Sequence, residues 1–178
     1  MACAGNFKDA GLEYTGALKV LQMIFSYEYL WIQIRVKGGA YGCMCSFSDQ
    51  GDSMFVTYRD PNLSKSYKVY DEAADYVADF DADDRDMKKY IIGTIGSMDM
   101  PMEAVDMGAR SFHAYFLGKT EADLQKVRDQ VLSCTQEDIR ALAPIVKAVV
   151  EAGNRCCIGN EEKIDQNKEY FDEVKHVL

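Results

Sequence analysis

Several common features are missing from this sequence of 178 residues, and each absence excludes a class of protein. No apolar run is long enough to cross a bilayer, which takes about 20 residues, so no membrane partner is expected. Basic residues are scarce, since 20 Lys and Arg stand against 29 Asp and Glu for a net charge of −9. Because contacts to phosphates need a basic face, no nucleic-acid partner is expected either.

Cysteine is too sparse for a disulfide scaffold, with six in the whole chain. Neither the pair Cys43 and Cys45 nor the adjacent Cys156 and Cys157 has the spacing of a zinc knuckle. The N-terminus has no charged region followed by an apolar core, so no signal peptide is visible. We therefore expect reduced and mostly buried thiols in an intracellular, cytoplasmic protein.

Catalytic motifs are missing as well. The two histidines, His113 and His176, are far apart in sequence, and neither has a neighbouring partner, so surface or packing roles are expected for both. No Gly-x-Ser-x-Gly elbow and no catalytic cysteine signature occur. Gly93 and Gly96 lie inside a helical pattern with no preceding strand, which favours close helix packing over a phosphate-binding loop.

The hydrophobic pattern predicts one α+β domain over residues 1–178. Strands are expected at residues 1–6, 43–47, 54–58 and 155–159, the second and third forming an antiparallel hairpin and the last being buried. Helices are expected to start at Thr15, Asn62, Thr120 and Thr135 and to cover residues 27–37, 84–99 and the amphipathic segment from Ile164 to Val174. This order predicts a mainly antiparallel sheet with helices packed on one face.

The stretch Arg35-Val36-Lys37-Gly38-Gly39-Ala40-Tyr41-Gly42 links a helical run to a strand. Two glycines end the helix and a tyrosine opens the strand, so the side chains of Arg35 and Tyr41 are expected to face one cleft. A structural role explains the same residues. A cation in the last helical turn complements the helix dipole, and glycine just past the end takes the left-handed conformation. The pattern alone leaves both interpretations open.

The run from Tyr14 to Gly42, YTGALKVLQMIFSYEYLWIQIRVKGGAYG, resembles a late segment of the presequence-protease branch of the pitrilysin/insulinase zinc metallopeptidases. The likeness continues in family order at residues 55–63, 84–95, 135–140 and 158–161. It implies a metallopeptidase-like domain of the pitrilysin family. We expect the C-terminal domain of a longer, multi-domain peptidase, with Met1 as an added start.

The resemblance also implies where zinc is bound and where this domain acts. The family holds zinc with an inverted His-x-x-Glu-His helix and a distant glutamate, and this chain has no such motif. Zinc is therefore expected in another domain of the parent enzyme, with no metal or cofactor in this fragment. In the family, the last domain lends an arginine and a tyrosine to the active site. By position these catalytic residues are Arg35 and Tyr41, with Arg35, Gly38, Gly39 and Tyr41 binding substrate.

Two functions follow from these expectations. In the first, the chain is the substrate-chamber domain of a zinc metalloendopeptidase that degrades unfolded peptides, inactive alone and completed by the N-terminal catalytic half of the same chain. A guanidinium and a phenol would then donate hydrogen bonds to the oxyanion of the tetrahedral intermediate. In the second, the chain is a non-catalytic scaffold or protein-interaction module of the same fold. The presence of Arg35 and Tyr41 favours the first.

Overall fold

The computed structural model describes residues 1–176 and contains a four-stranded sheet. The strands are β1 (Ala2–Asn6), β2 (Gly42–Phe47), β3 (Asp52–Tyr58) and β4 (Asn154–Cys156), in the spatial order β2-β3-β1-β4. All three pairings are antiparallel, and β2 and β3 form the predicted hairpin. The α+β class with an antiparallel sheet is confirmed.

Helices make up most of the remaining chain. They are α1 (Ala17–Tyr27), α2 (Leu63–Asp71), α3 (Ala73–Ala78), α4 (Asp84–Met98), α5 (Ala104–Phe116), α6 (Glu121–Leu132), α7 (Gln136–Arg140), α8 (Ala143–Glu151) and α9 (Glu161–Asp165). A π-helix covers Trp31–Val36, and short 3-10 turns cover Phe7–Ala10 and Lys168–Tyr170. Within residues 1–176, no helix is both long enough and apolar enough to span a membrane.

The helices cover one face of the sheet, as predicted. α1 packs on β2, and α8 packs on β1. Successive side chains of a strand point to opposite faces. In β3, Phe55 and Thr57 are buried beneath the helices, whereas Met54 and Tyr58 are exposed on the opposite face. We call this second surface the open face of the sheet.

Phe25 of α1 is the centre of an aromatic core. Its side chain is fully buried, and its ring centroid lies 5.8 Å from Tyr29, 5.8 Å from Phe55, 6.1 Å from Tyr76 and 6.5 Å from Phe47. Two of these rings belong to the hairpin strands, and Tyr76 belongs to α3. One side chain therefore holds α1, the hairpin and α3 together.

Both predicted capping boxes are present. The hydroxyl of Thr120 accepts the Asp123 N–H at 3.2 Å, and the Asp123 carboxylate accepts the Thr120 N–H at 2.8 Å. Thr135 and Asp138 repeat the arrangement at the start of α7. The hydroxyl of Thr15 accepts the Ala17 N–H at 3.5 Å, as expected of a cap, and the side-chain oxygen of Gln130 accepts the Gly16 N–H at 2.8 Å.

Two predicted helices end earlier than expected. The helix from Thr135 was expected to include Val146, but it stops at Arg140 because Pro144 cannot donate an N–H and its ring opposes the carbonyl four residues back. The last helix stops at Asp165. The side-chain amide of Asn167 donates to the Lys163 carbonyl at 2.8 Å and so replaces the backbone bond that would extend the helix.

The helix predicted from Asn62 to residue 77 is interrupted. Glu72, with φ −83° and ψ −3°, separates α2 from α3. Helical spacing predicts one inner face for both pieces: Leu63, Tyr67, Tyr70 and Val77 on it are buried, and Ala74 is half-buried.

The strand predicted at 155–159 is shorter and less buried than expected. It pairs with β1 from Ala4↔Asn154 to Ala2↔Cys156, where the register ends. Cys156 is exposed, and its pairing with Ala2 places it on the open face. Close helix packing was predicted at both Gly93 and Gly96, and only Gly93 shows it. A Cβ added at Gly93 would lie 3.4 Å from the Met23 sulfur. A Cβ added at Gly96 would have no atom within 4 Å.

α5 differs from the other long helices because none of its side chains is buried. Its exposed apolar side chains are Val105, Met107, Phe112, Tyr115 and Phe116. The segment that follows is tied to the body by an ion pair between Lys119 and Asp49 in the hairpin turn.

The thiols differ in exposure, and we predict that they differ in reactivity. Burial raises the pKa of Cys134 to about 12 and also raises the pKa of the buried Cys3 and Cys45, whereas Cys156 is exposed. Because the thiolate is the reactive form, iodoacetamide at pH 8 should modify Cys156 roughly ten times faster or more than the three buried thiols. Mass spectrometry of peptides from a time course measures this. Equal rates in the native chain would contradict the described packing.

The aromatic core gives a second prediction. Phe25→Ala should lower the free energy of unfolding by about 3–5 kcal/mol because it leaves a cavity among four rings. Tyr27→Ala, at an exposed position on the same helix, should change it by less than about 0.5 kcal/mol. Urea unfolding monitored by circular dichroism measures both. Similar losses for the two variants would show that Phe25 is not the centre of the core.

Candidate functional site

The π-helix places Arg35 at the junction between α1 and the hairpin. Its wider turn is shown by the Lys37 N–H, which donates to the Ile32 carbonyl five residues back at 2.9 Å. Such π-turns are uncommon and occur frequently at functional sites. Trp31 and Arg35 lie one turn apart, and the Arg35 guanidinium carbon is 4.5 Å from the centroid of the Trp31 ring. This cation–π contact fixes the side chain of Arg35.

The two glycines end the π-helix and reverse the chain. Gly39 has φ +77°, the left-handed conformation that favours glycine. At Gly38, an added Cβ would collide with the carbonyl oxygen of Ile34. Gly39 donates its N–H to the Arg35 carbonyl at 2.9 Å, and Ala40 donates to Ile34 at 3.1 Å, so the last carbonyls are satisfied. Helix termination therefore explains both glycines, and their predicted contact with substrate stays a prediction.

The reversal brings Tyr41 back to Arg35. The Arg35 guanidinium carbon lies 5.6 Å from the centroid of the Tyr41 ring. Tyr41 also meets Tyr58 edge-on with a centroid distance of 5.8 Å, and the guanidinium carbon of Arg59 lies 5.7 Å from Tyr41 and 5.2 Å from Tyr58. We call these five residues, Trp31, Arg35, Tyr41, Tyr58 and Arg59, the arginine–tyrosine cluster. Arg35 and Tyr41 are therefore close neighbours, and that both face one cleft stays a prediction.

A tight turn after β3 holds the cluster together. The Arg59 carbonyl accepts the Tyr41 N–H at 3.3 Å, which extends the hairpin ladder by one pair. The side-chain amide of Asn62 donates to the Gly38 carbonyl, and the Asp60 carboxylate accepts the Asn62 N–H at 2.9 Å. The end of the π-helix and the end of β3 are thus joined by direct hydrogen bonds.

The cluster lies at the end of the hairpin, and Tyr58 is its member on the open face. Tyr58 shares that face with Val56 and Met54, and across the hairpin with Met44. A cleft of about 710 Å³ starts at Tyr58 and Arg59 and crosses the face past Val56 and Ala2 to Cys156. A second cleft, of about 670 Å³, lies at the opposite end of the hairpin, between α1, α4 and α6, and contains no residue of the cluster.

Cys43 lies next to the cluster on the covered side of β2. Burial raises the pKa of its thiol, against a smaller lowering by the Arg35 charge. The thiol therefore stays protonated near neutral pH and is a poor nucleophile. The site therefore offers hydrogen-bond donors to a ligand and does not offer a reactive nucleophile.

The residues of this chain do not fit the zinc site that the family resemblance implies. His113 lies on α5, and His176 lies beside Glu161, 3.5 Å from its carboxylate. Across residues 1–176, no three His, Cys, Asp or Glu side chains come together in a way that could hold a metal ion.

Three members of the site were not predicted from the sequence: Trp31, Tyr58 and Arg59. A signal for Tyr58 was present, because counting the ladder back from the hairpin turn pairs Tyr58 with Gly42, next to Tyr41. Arg59 carried no such signal, since its position depends on a left-handed backbone with φ +48°.

Comparison with known proteins places this geometry in a family. The family model described as the PreP C-terminal domain matches residues 1–160. Protein HypA of Clostridium perfringens is 41% identical over 100% of this chain, which covers 18% of that protein. Presequence protease 1, chloroplastic/mitochondrial, of Arabidopsis thaliana is 34% identical over 98% of this chain and 17% of its own length. The mitochondrial presequence protease of Aspergillus fumigatus is 34% identical over 82% of this chain and 13% of its own length. The chain therefore spans less than a fifth of these relatives.

The glycine stop yields a prediction with a matched control. Gly39→Ala should lower the free energy of unfolding by about 1–2 kcal/mol, because an alanine is strained in the left-handed conformation. Gly96→Ala should raise it by about 0.5–1 kcal/mol, because it adds helix propensity where no atom is in the way. Chemical denaturation of the two variants measures both changes. A stabilising Gly39→Ala would contradict the described end of the π-helix.

Proposed function

The chain belongs to the presequence protease family, as its C-terminal domain, and from this premise we propose that it is the substrate-chamber domain of a zinc metalloendopeptidase that degrades unfolded peptides. The observation that carries the proposal is the meeting of Arg35 and Tyr41 beside Tyr58, at the end of the hairpin. The parent enzyme binds its zinc in another domain, and the peptide and the N-terminal half of the parent are the partners of this one. The isolated chain is inactive.

The chemistry of the cluster supports this role. Within residues 1–176, the Tyr41 hydroxyl has no hydrogen-bond partner, and the Arg35 guanidinium has neither a hydrogen-bond nor an ion-pair partner. Tyr41 is 63% exposed. Both groups are hydrogen-bond donors that are held in place and have no acceptor among the described residues. Donors of this kind, aimed at a carbonyl under attack, stabilise the charge that develops on its oxygen.

The open face supports an extended, unfolded substrate. Met44 and Met54 are exposed beside Val56, and the small side chains of Ala2 and Ala4 leave space between them. Methionine is flexible and polarizable, and it is common on surfaces that accept many different partners. We propose that side chains of the peptide rest on this face while its reacting bond lies at the cluster.

Two expectations stay predictions. Two of the relatives are named as mitochondrial or chloroplastic enzymes, so the cytoplasmic location predicted from the thiols has no support from them. The absence of a nucleic-acid partner rests on the net charge of −9 alone.

A second function, a non-catalytic interaction module, is favoured by one observation. The exposed apolar side chains of α5 form a face of the kind that marks a protein contact. Because the chain spans less than a fifth of its relatives, we assign this face to packing against the rest of the parent. The face therefore suits either function, and only the arginine–tyrosine cluster separates them.

The test uses the full-length parent enzyme. Tyr41→Phe and Arg35→Ala should each lower kcat for an unstructured peptide roughly tenfold or more, about 1.4 kcal/mol of barrier, because each removes a donor to the oxyanion. Steady-state kinetics with a fluorogenic peptide measures this.

Two exposed residues away from the cluster provide controls. Tyr27→Phe and Arg85→Ala make the same chemical changes outside the open face and should leave kcat unchanged. Unchanged turnover in Tyr41→Phe and Arg35→Ala would return both residues to packing and helix-capping roles and leave the domain as a scaffold.

A further inference from the structure

Arg59 stands in a backbone conformation that its side chain does not favour. Its φ of +48° is the only positive value at a non-glycine residue in the described part of the chain. The turn places the Arg59 carbonyl on the Tyr41 N–H, and glycine would satisfy the same geometry with less strain. Strained positions persist where the side chain serves a function. The strained backbone at Arg59 therefore indicates a function for its guanidinium.

The Arg59 guanidinium is held in place but not neutralised. Its central carbon lies 5.2 Å from the centroid of the Tyr58 ring and 5.7 Å from that of Tyr41, and among the described residues its N–H groups have no hydrogen-bond acceptor. Within residues 1–176, Arg59 forms no ion pair, whereas Arg128 and Arg155 pair with aspartates. The side chain is also exposed to solvent. A guanidinium that is held in place and has no ion-pair partner can bind a planar anion.

The neighbouring carboxylate does not fill this role. One oxygen of Asp60 accepts the Asn62 N–H at 2.9 Å, and the other accepts the Ser66 hydroxyl at 2.6 Å. Asp60 is thereby turned to the start of α2. Its charge is committed to the turn, which leaves the donors of Arg59 available.

The cleft that begins at Arg59 is lined mostly by apolar groups, although Asp60 and Asn160 also border it. Its lining includes Val56, Ile158 and Ile164, with Lys163 as a second cation. The Lys163 amine donates to the Pro61 carbonyl at 3.0 Å, on the same turn as Arg59. Both cations therefore lie at the turn, in a protein whose overall charge is strongly negative. The local charge fits one carboxylate next to apolar side chains.

We propose that Arg59 is a specificity-determining residue that binds a carboxylate of the peptide substrate in the cleft of the open face. The ligand is either an acidic side chain or the C-terminal carboxylate of the peptide, since the two present the same planar group to the guanidinium. The inference rests on the proposed function, because it takes a peptide on the open face as given. Arg35 and Tyr41 act on the reacting bond, and Arg59 selects the substrate.

The test uses the full-length enzyme and two sets of unstructured peptides. One set moves a glutamate through the sequence, with glutamine in the matched control; the other compares a free C-terminus with its amide. In one set, the peptide with the carboxylate should have a KM at least tenfold lower than its control. That set identifies the source of the carboxylate.

Substitution of Arg59 should remove the preference without slowing the chemistry. Arg59→Met keeps the length of the side chain and should raise KM for the preferred peptide to that of its control, with kcat unchanged, since ground-state and transition-state binding are lost equally. Arg59→Lys should keep part of the preference because it retains charge but not the planar fork. Arg85→Met, at an exposed position on α4, should keep all of it.

The outcomes separate this inference from the proposed function. No preference in either set, or a preference that survives Arg59→Met, overturns the role of Arg59 while leaving Arg35 and Tyr41 untouched. Unchanged kcat in Tyr41→Phe overturns the proposed function instead. Thermal unfolding of the 178-residue chain gives an independent readout: Arg59→Gly should raise the midpoint by relieving the left-handed strain, and a lower midpoint would show that the side chain of Arg59 is there for stability.

Discussion

Two hydrogen bonds join the end of the π-helix to the end of β3, and the candidate site depends on them. The Tyr41 N–H donates to the Arg59 carbonyl, and the Asn62 amide donates to the Gly38 carbonyl. Each bond ties a group that would otherwise be left unsatisfied at the end of a secondary-structure element. Because Gly39 can take a left-handed conformation, the chain turns sharply enough for both bonds to form. Arg35 and Tyr41 are neighbours for this reason.

The one-sided sheet gives this junction its functional setting. The aromatic core around Phe25 fixes α1 and the hairpin on the covered face, while Met54 and Tyr58 stay exposed on the other face. An antiparallel sheet tolerates such exposure because its side chains alternate between the two faces. The same alternation that buries Phe55 therefore exposes Tyr58 and Met54. One strand, β3, therefore contributes side chains both to the buried core and to the exposed face of the sheet.

Much of this arrangement follows from the sequence, for physical reasons that are local. The capping boxes at Thr120 and Thr135 are satisfied within four residues, and the hairpin follows from strand alternation around a polar turn. The stop at Gly38 and Gly39 is local as well, which is why the approach of Arg35 and Tyr41 could be anticipated. Where tertiary contacts compete with local preference, prediction failed. The exposure of α5 is a property of the whole packing, and the end of α9 is set by a local side-chain bond from Asn167 that helical periodicity does not reveal. The place of Arg59 depends on a backbone conformation that its residue type disfavours.

The central claim is that Tyr41 touches the peptide during turnover, and photo-crosslinking tests it most directly. A benzophenone amino acid would replace Tyr41 in the full-length enzyme, with Tyr27 replaced in the same way as a control at an exposed site away from the open face. Our account predicts a crosslink to a bound peptide from position 41 that an excess of unlabelled peptide abolishes, and none of this kind from position 27. Equal or absent crosslinking at the two positions would contradict the placement of the arginine–tyrosine cluster in the substrate site.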